Sequence, residues 1–177
     1  MIVWLNGPFG VGKSSAAAVI RTALPESTRF DPELVGVMLR EIVPALTGDF
    51  QDLPLWRRLV VEVSAALHDE SPLLITPMTL VREDYAREIW GGLALRGVDV
   101  QIVLLHADGE ILTQRIRGDH LNERAQSWRL DHLDAYKLAM PWLTATADYV
   151  VDTTQLSSAE VGSAVLDHIR RGARPSR

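Results

Sequence analysis

Gly7-Pro8-Phe9-Gly10-Val11-Gly12-Lys13-Ser14 fills every fixed position of the phosphate-loop pattern G-x-x-x-x-G-K-[ST]. Each residue type in it has a chemical role. Glycine lets the backbone turn its amides inward around phosphate oxygens. Lys13 supplies a point charge for β- and γ-phosphates, and Ser14 offers a hydroxyl to Mg²⁺. A helix beginning near Lys13 points its positive end at the same anions. Phe9 and Val11 within the loop, and Ser15 just after it, complete the set of nucleotide-contact candidates. ATP with Mg²⁺ is the ligand pair this chemistry implies.

Other candidates lie further along. Asp31 stands just past the short strand candidate Thr28–Phe30, and ligands gather at the carboxyl ends of strands in an open α/β sheet. Before Pro32 and Glu33 it is also a good helix cap. Arg115 and Arg117 leave a helical pattern and enter a polar segment that holds Arg124. Guanidinium groups suit the charge spread over a transferring phosphoryl group. Two residues apart on a helix, Arg115 and Arg117 point to different sides, so one can serve phosphate and the other structure. Arg40 and Arg57 either hold an acceptor or sit on helix surfaces, and Met78 and Thr79 follow a buried strand. No aspartate stands in Thr76-Pro77-Met78-Thr79, where motors and GTPases carry one for the metal. That weighs against those classes and leaves a second metal contact unassigned. The histidines at 68, 106, 120, 132 and 168 show no metal-ligand spacing. Trp56 and Trp128 either touch a ligand ring or pack in the core.

These residues need a scaffold of strands alternating with helices. Strands are expected at Ile2–Leu5, Thr28–Phe30, Leu73–Thr76, Val98–Leu105 and Tyr149–Val151. Helices are expected at Lys13–Leu24, from Asp31-Pro32 to about Val43, and at Pro54–His68, Arg82–Leu95, Asp108–Ile116, Leu130–Leu143 and Ser157–Arg171. Gly97 reads as a helix C-cap and Asp108 as an N-cap. The pattern implies βαβ units and a parallel five-stranded sheet in a three-layer α/β domain over residues 1–172. Residues 117–129 read as a polar lid, 31–70 as an acceptor-binding region, and 173–177 as a loose tail.

Composition narrows the class. The chain of 177 residues carries a formal charge of −5, which argues against a nucleic-acid partner. It has no cysteine, which excludes disulfides and thiolate chemistry and suits a reducing, cytoplasmic setting. No apolar run is long enough to span a membrane. The last helix places Val161, Ala164, Val165 and Ile169 on one side, ahead of Arg170 and Arg171. That face docks on the sheet or, as a lesser reading, lies on a membrane surface. A monomer and a homodimer both remain open.

Size, strand count and late arginines resemble the nucleoside monophosphate kinases and shikimate kinases. The resemblance implies sheet order 2-3-1-4-5, an acceptor region after the second strand and an arginine-bearing lid. More specifically, the chain resembles the tunicamycin resistance proteins, related in fold to chloramphenicol phosphotransferase. The resemblance rests on Trp4-Leu5-Asn6-Gly7 with Phe9-Gly10, Asp31-Pro32-Glu33, Pro54-Leu55-Trp56-Arg57 and Pro77-Met78-Thr79. It continues through Arg115, Arg117 and Ser127-Trp128. It implies an ATP-dependent phosphotransferase whose acceptor is a small-molecule hydroxyl, with tunicamycin as that acceptor. Asp31 would be the general base. Lys13, Arg115 and Arg117 would serve catalysis, and Arg115 and Arg124 would also hold nucleotide. Asp31, Arg40, Arg57, Met78 and Thr79 would meet the acceptor. A protein that sequesters the antibiotic without chemistry, and a small-metabolite or nucleoside kinase, are the competing readings.

Overall fold

The computed structural model describes residues 1–120 and 125–172. Apolar strand residues on both faces of β1 (Ile2–Asn6) require cover on both sides, and every residue of that strand is buried. Val3 and Leu5 pack into one core, whereas Ile2 and Trp4 pack into the other. The strand therefore sits at the centre of a three-layer structure. The five strands are parallel in the order β2-β3-β1-β4-β5, with β2 at Thr28–Arg29, β3 at Leu74–Pro77, β4 at Val100–His106 and β5 at Tyr149–Asp152. This is the expected sheet and order.

Helices α1 (Lys13–Ala23), α2 (Glu33–Ile42), α3 (Pro54–Glu70), α4 (Glu83–Ala94), α5 (Gly109–Arg117), α6 (Gln126–Thr146) and α7 (Ser158–Gly172) complete the layers. The core on one side takes residues of α1, α5, α6 and α7, and the core on the other takes residues of α2, α3 and α4. The second core contains an aromatic stack. Trp4 meets Trp90 edge-on with centroids 6.1 Å apart, and Trp90 lies 6.3 Å from Trp142. Trp56 is fully buried there too. The apolar face of α7 is inward, with Val161, Val165 and Ile169 in the first core. No helix among the described residues is long and apolar enough to cross a membrane.

Several boundaries differ from the sequence reading for physical reasons. Helix α6 begins at Gln126, not Leu130, because Gln126 Nε2 donates to the carbonyls of Ile116 and Arg117, 3.3 and 3.1 Å away. Arg129 also pairs with Asp119 at 2.7 Å. The start of α6 is thus tied to the end of α5. Asp108 occupies the N-cap position of α5 without a side-chain capping bond. A short 3₁₀ turn at Phe50–Asp52, capped by Asp49, precedes α3. Positions 121–124, including Arg124, and the tail 173–177 lie outside the described residues.

Candidate active site

The loop after β1 is held open by backbone geometry and by one buried amide. Gly7 adopts φ +146°, and a Cβ there would stand 2.2 Å from the Leu105 carbonyl oxygen. Gly12 occupies the N-cap of α1 in the left-handed region at φ +98°. No side chain caps α1, so its first-turn amides stay available to an anion. Asn6 is 1% exposed and joins the loop to the segment after β3. Its Oδ1 accepts from the amides of Gly7 and Leu80 at 2.8 and 2.9 Å, and its Nδ2 donates to the Leu80 carbonyl at 3.0 Å. Thr79 Oγ1 donates to the Gly7 carbonyl at 2.8 Å. The cradle is thus fixed by two neighbouring strand ends.

Lys13 Nζ curls over the loop and donates to the carbonyls of Gly7 and Pro8, both at 2.9 Å. The residue as a whole is half-buried, yet desolvation of its ammonium lowers its pKa from 10.5 to about 7. Arg129 pushes in the same direction, and Glu33 and Asp31 oppose it. Glu33 is exposed overall, but burial of its carboxylate and the neighbouring charge of Asp31 raise its pKa, against a pull from Lys13. A cluster of two cations and two carboxylates therefore gathers at the mouth of the loop.

A cavity of about 700 Å³ gathers the loop, Ser14, Asp31, Glu33, Arg115 and Arg129. Asp31 Oδ1 accepts from the Glu33 amide at 3.1 Å, and its Oδ2 pairs with Arg29 at 3.1 Å. It therefore caps the first turn of α2 while lining the cavity. Arg115 reaches across to the residue after β5, donating to Thr153 Oγ1 at 3.0 Å and the Thr153 carbonyl at 2.7 Å. Buried Thr153 Oγ1 lies 3.4 Å from the Val11 carbonyl, so Arg115 and the loop share one anchor. Arg129 stands over the Phe9 ring at 5.7 Å from its centroid.

The other sequence candidates lie elsewhere. Arg117 borders a separate surface cavity between α5 and α6, with Glu110 and Lys137. Exposed Arg40 donates to the Gly48 carbonyl at 2.8 Å. Arg57 is 7% exposed, pairs with Glu88 at 2.5 Å and donates to the Gln51 carbonyl at 2.5 Å. Met78 belongs to the second core. Sequence reasoning did not single out Asn6, Glu33, Arg129 or Thr153. Glu33 was legible as the third residue of Asp31-Pro32-Glu33. The roles of Asn6 and Thr153 depend on partners more than 70 residues away in sequence.

The residues present fit Mg-ATP. Backbone amides, Lys13 and Arg115 suit phosphates, and Ser14 with the nearby carboxylates suits a Mg²⁺ held largely by phosphate oxygens and water. Among the described residues no group of three or more acidic or histidine side chains forms a metal site independent of nucleotide.

No family model and no curated protein matches the chain. Solved structures do. The tunicamycin resistance protein of Deinococcus radiodurans is 29% identical, with 95% of this chain and 94% of that one aligned at a TM-score of 0.72. A shikimate kinase from Acinetobacter baumannii in complex with shikimate is 17% identical over 97% of this chain and 94% of that one, at a TM-score of 0.64. A gluconokinase from Sinorhizobium meliloti is 14% identical over 97% of each chain, at the same TM-score. The latter two speak for the fold. Over nearly its whole length, then, this chain has the P-loop kinase fold and is similar to a tunicamycin resistance protein, as its motifs imply.

Proposed function

We propose that this chain transfers the γ-phosphoryl group of ATP to a hydroxyl of a small molecule, and that the molecule is tunicamycin. One observation carries the chemistry: the phosphate loop, from Phe9 to Ser14, faces three carboxylates, Asp31, Glu33 and Asp119, and two arginines across a single cavity. The similarity to the Deinococcus protein carries the acceptor. Mg-ATP supplies the transferable group and a cation that offsets its charge. The chain supplies positioning and electrostatic stabilisation. Lys13 and the loop amides hold the phosphates, with Ser14 toward the metal. Asp31 takes the hydroxyl proton as the acceptor oxygen bonds to phosphorus and the bond to the ADP oxygen breaks. Arg115 and Arg129 neutralise charge around the transferring group.

Incubation with Mg-ATP and tunicamycin, followed by mass spectrometry of the antibiotic, tests this reading. The expected product has gained one phosphoryl group, and Lys13→Ala makes none. An unmodified antibiotic that nevertheless co-purifies with the protein would establish sequestration instead. A specific feature favours that second reading: both oxygens of Asp31 already have partners.

A further inference from the structure

A second cavity, of about 270 Å³, shares Phe9 with the phosphate site. It is smaller than the ~300–1,000 Å³ of typical drug-sized pockets, so it suits one ring system and not a whole large molecule. Aromatic side chains dominate its wall: Phe9, Tyr85, Trp128 and Tyr136. Phe9 and Trp128 meet edge to face with centroids 5.0 Å apart. Rings that meet this way present flat and edge surfaces to a planar guest.

The polar groups of this wall are unevenly committed. Tyr136 is 5% exposed, and its hydroxyl has no hydrogen-bond partner among the described residues. A buried hydroxyl of that kind calls for a ligand group. Burial also raises its pKa, so it remains a donor. Asp49 gives one oxygen to the Gln51 amide at 2.9 Å, and Asp52 gives one to the Tyr85 hydroxyl at 2.8 Å. Their other oxygens make no hydrogen bond among the described residues. Arg82 and one ring nitrogen of His132 are engaged. Arg82 forks onto Asp84 at 3.1 and 2.6 Å, and His132 Nδ1 lies 2.6 Å from the Trp128 carbonyl. Arg57, behind the Tyr85 ring at 4.1 Å, is held by Glu88 and Gln51. The groups of this wall without a partner thus include one buried hydroxyl donor and two carboxylate oxygens, set among aromatic rings.

We propose that this cavity takes a neutral planar heterocycle of the acceptor, whose carbonyl meets the Tyr136 hydroxyl and whose ring N–H meets Asp49 or Asp52. The two acids turn away acceptors that carry a carboxylate on that ring or a phosphate on the sugar attached to it. The proposal rests on the acceptor site proposed above and names the class of molecule it admits.

Calorimetric titration with uridine, orotidine and uridine monophosphate tests it, because the three share a ring and differ in added negative charge. Uridine should bind saturably, with the two anions at least tenfold weaker. Tyr136→Phe should weaken uridine about fivefold, the loss of one hydrogen bond, while melting at or above the wild-type temperature. Asp49→Asn combined with Asp52→Asn should narrow the gap between uridine and orotidine to less than about threefold. Equal binding of uridine and orotidine by the wild type would overturn the proposal. So would unchanged uridine binding by Tyr136→Phe, a weakened Tyr136→Phe that also melts lower, or no uridine binding by a protein that still takes up Mg-ATP. These titrations need no phosphoryl transfer. Uridine binding without a phosphorylated antibiotic removes only the phosphotransfer reading. Phosphorylated tunicamycin without uridine binding removes only the ring pocket.

Discussion

Binding of Mg-ATP should draw a proton onto Lys13. Desolvation, with Arg129 adding to it, lowers the ammonium's pKa from 10.5 to about 7 before nucleotide arrives. Phosphates against Nζ restore the charged form. At pH 8 only about a tenth of the free protein carries the Lys13 charge, so binding should take up about 0.9 proton. Phosphate esters have a second pKa near 6, so the nucleotide itself contributes little at that pH. If the bound lysine stays charged, affinity should fall about fifty-fold between pH 7 and pH 9. Stability of the free protein runs the other way. Between pH 7 and 10.5 the unfolded chain binds more protons at Lys13 than the folded one, so raising pH through that window stabilises the free fold. Calorimetry at pH 8 in two buffers with small and large ionisation heats measures the uptake directly. Glu33→Gln should shift its onset to lower pH and Arg129→Gln to higher pH, because the two charges act on Lys13 with opposite sign. Equal binding heats in both buffers, with normal affinity, would refute the reasoning.

Other outcomes follow from individual contacts. Asn6→Ala orphans three backbone groups at the loop and at Leu80, and should cost about 3 kcal/mol or more in urea unfolding. Gly7→Ala drives a Cβ to 2.2 Å from the Leu105 oxygen at a positive φ, so it should lower the melting temperature and weaken nucleotide binding together. Asp31→Asn keeps most of the cap on α2 and loses a partly exposed ion pair with Arg29, worth about 1 kcal/mol or less. Its turnover should nonetheless fall about a hundredfold or more in a coupled ADP assay if it is the proton acceptor. Full turnover, together with a loss in Glu33→Gln, would move that role to Glu33.

The phosphate loop was legible because its chemistry is local: eight consecutive residues, a strand before and a helix after. The alternation of apolar runs likewise exposed the strands, since β1 and β3 are buried throughout and β4 carries the buried apolar run Val103-Leu104-Leu105. Long-range partners were not legible. Arg57 read as either an acceptor ligand or a helix-surface arginine, because its sequence neighbours say nothing of Glu88, 31 residues on. Arg129 was submerged in a polar stretch whose second half is the first turn of α6, and only the tie of Gln126 to α5 explains that early start. The side chain of Asn6 works across two strand ends, a geometry that no local pattern encodes.

The placement of the five tryptophans divides the protein's optical response in two. Trp4, Trp56, Trp90 and Trp142 report from the second core and its edge, and the coupled Trp4–Trp90–Trp142 rings should dominate near-ultraviolet circular dichroism. Trp128 is 43% exposed and lies against Phe9 and His132 at the junction of both cavities. Its emission should therefore respond to occupancy while the dichroism signal stays constant. Unfolding and ligand binding can be followed in one cuvette as separate signals, and Trp128→Phe should silence only one of them.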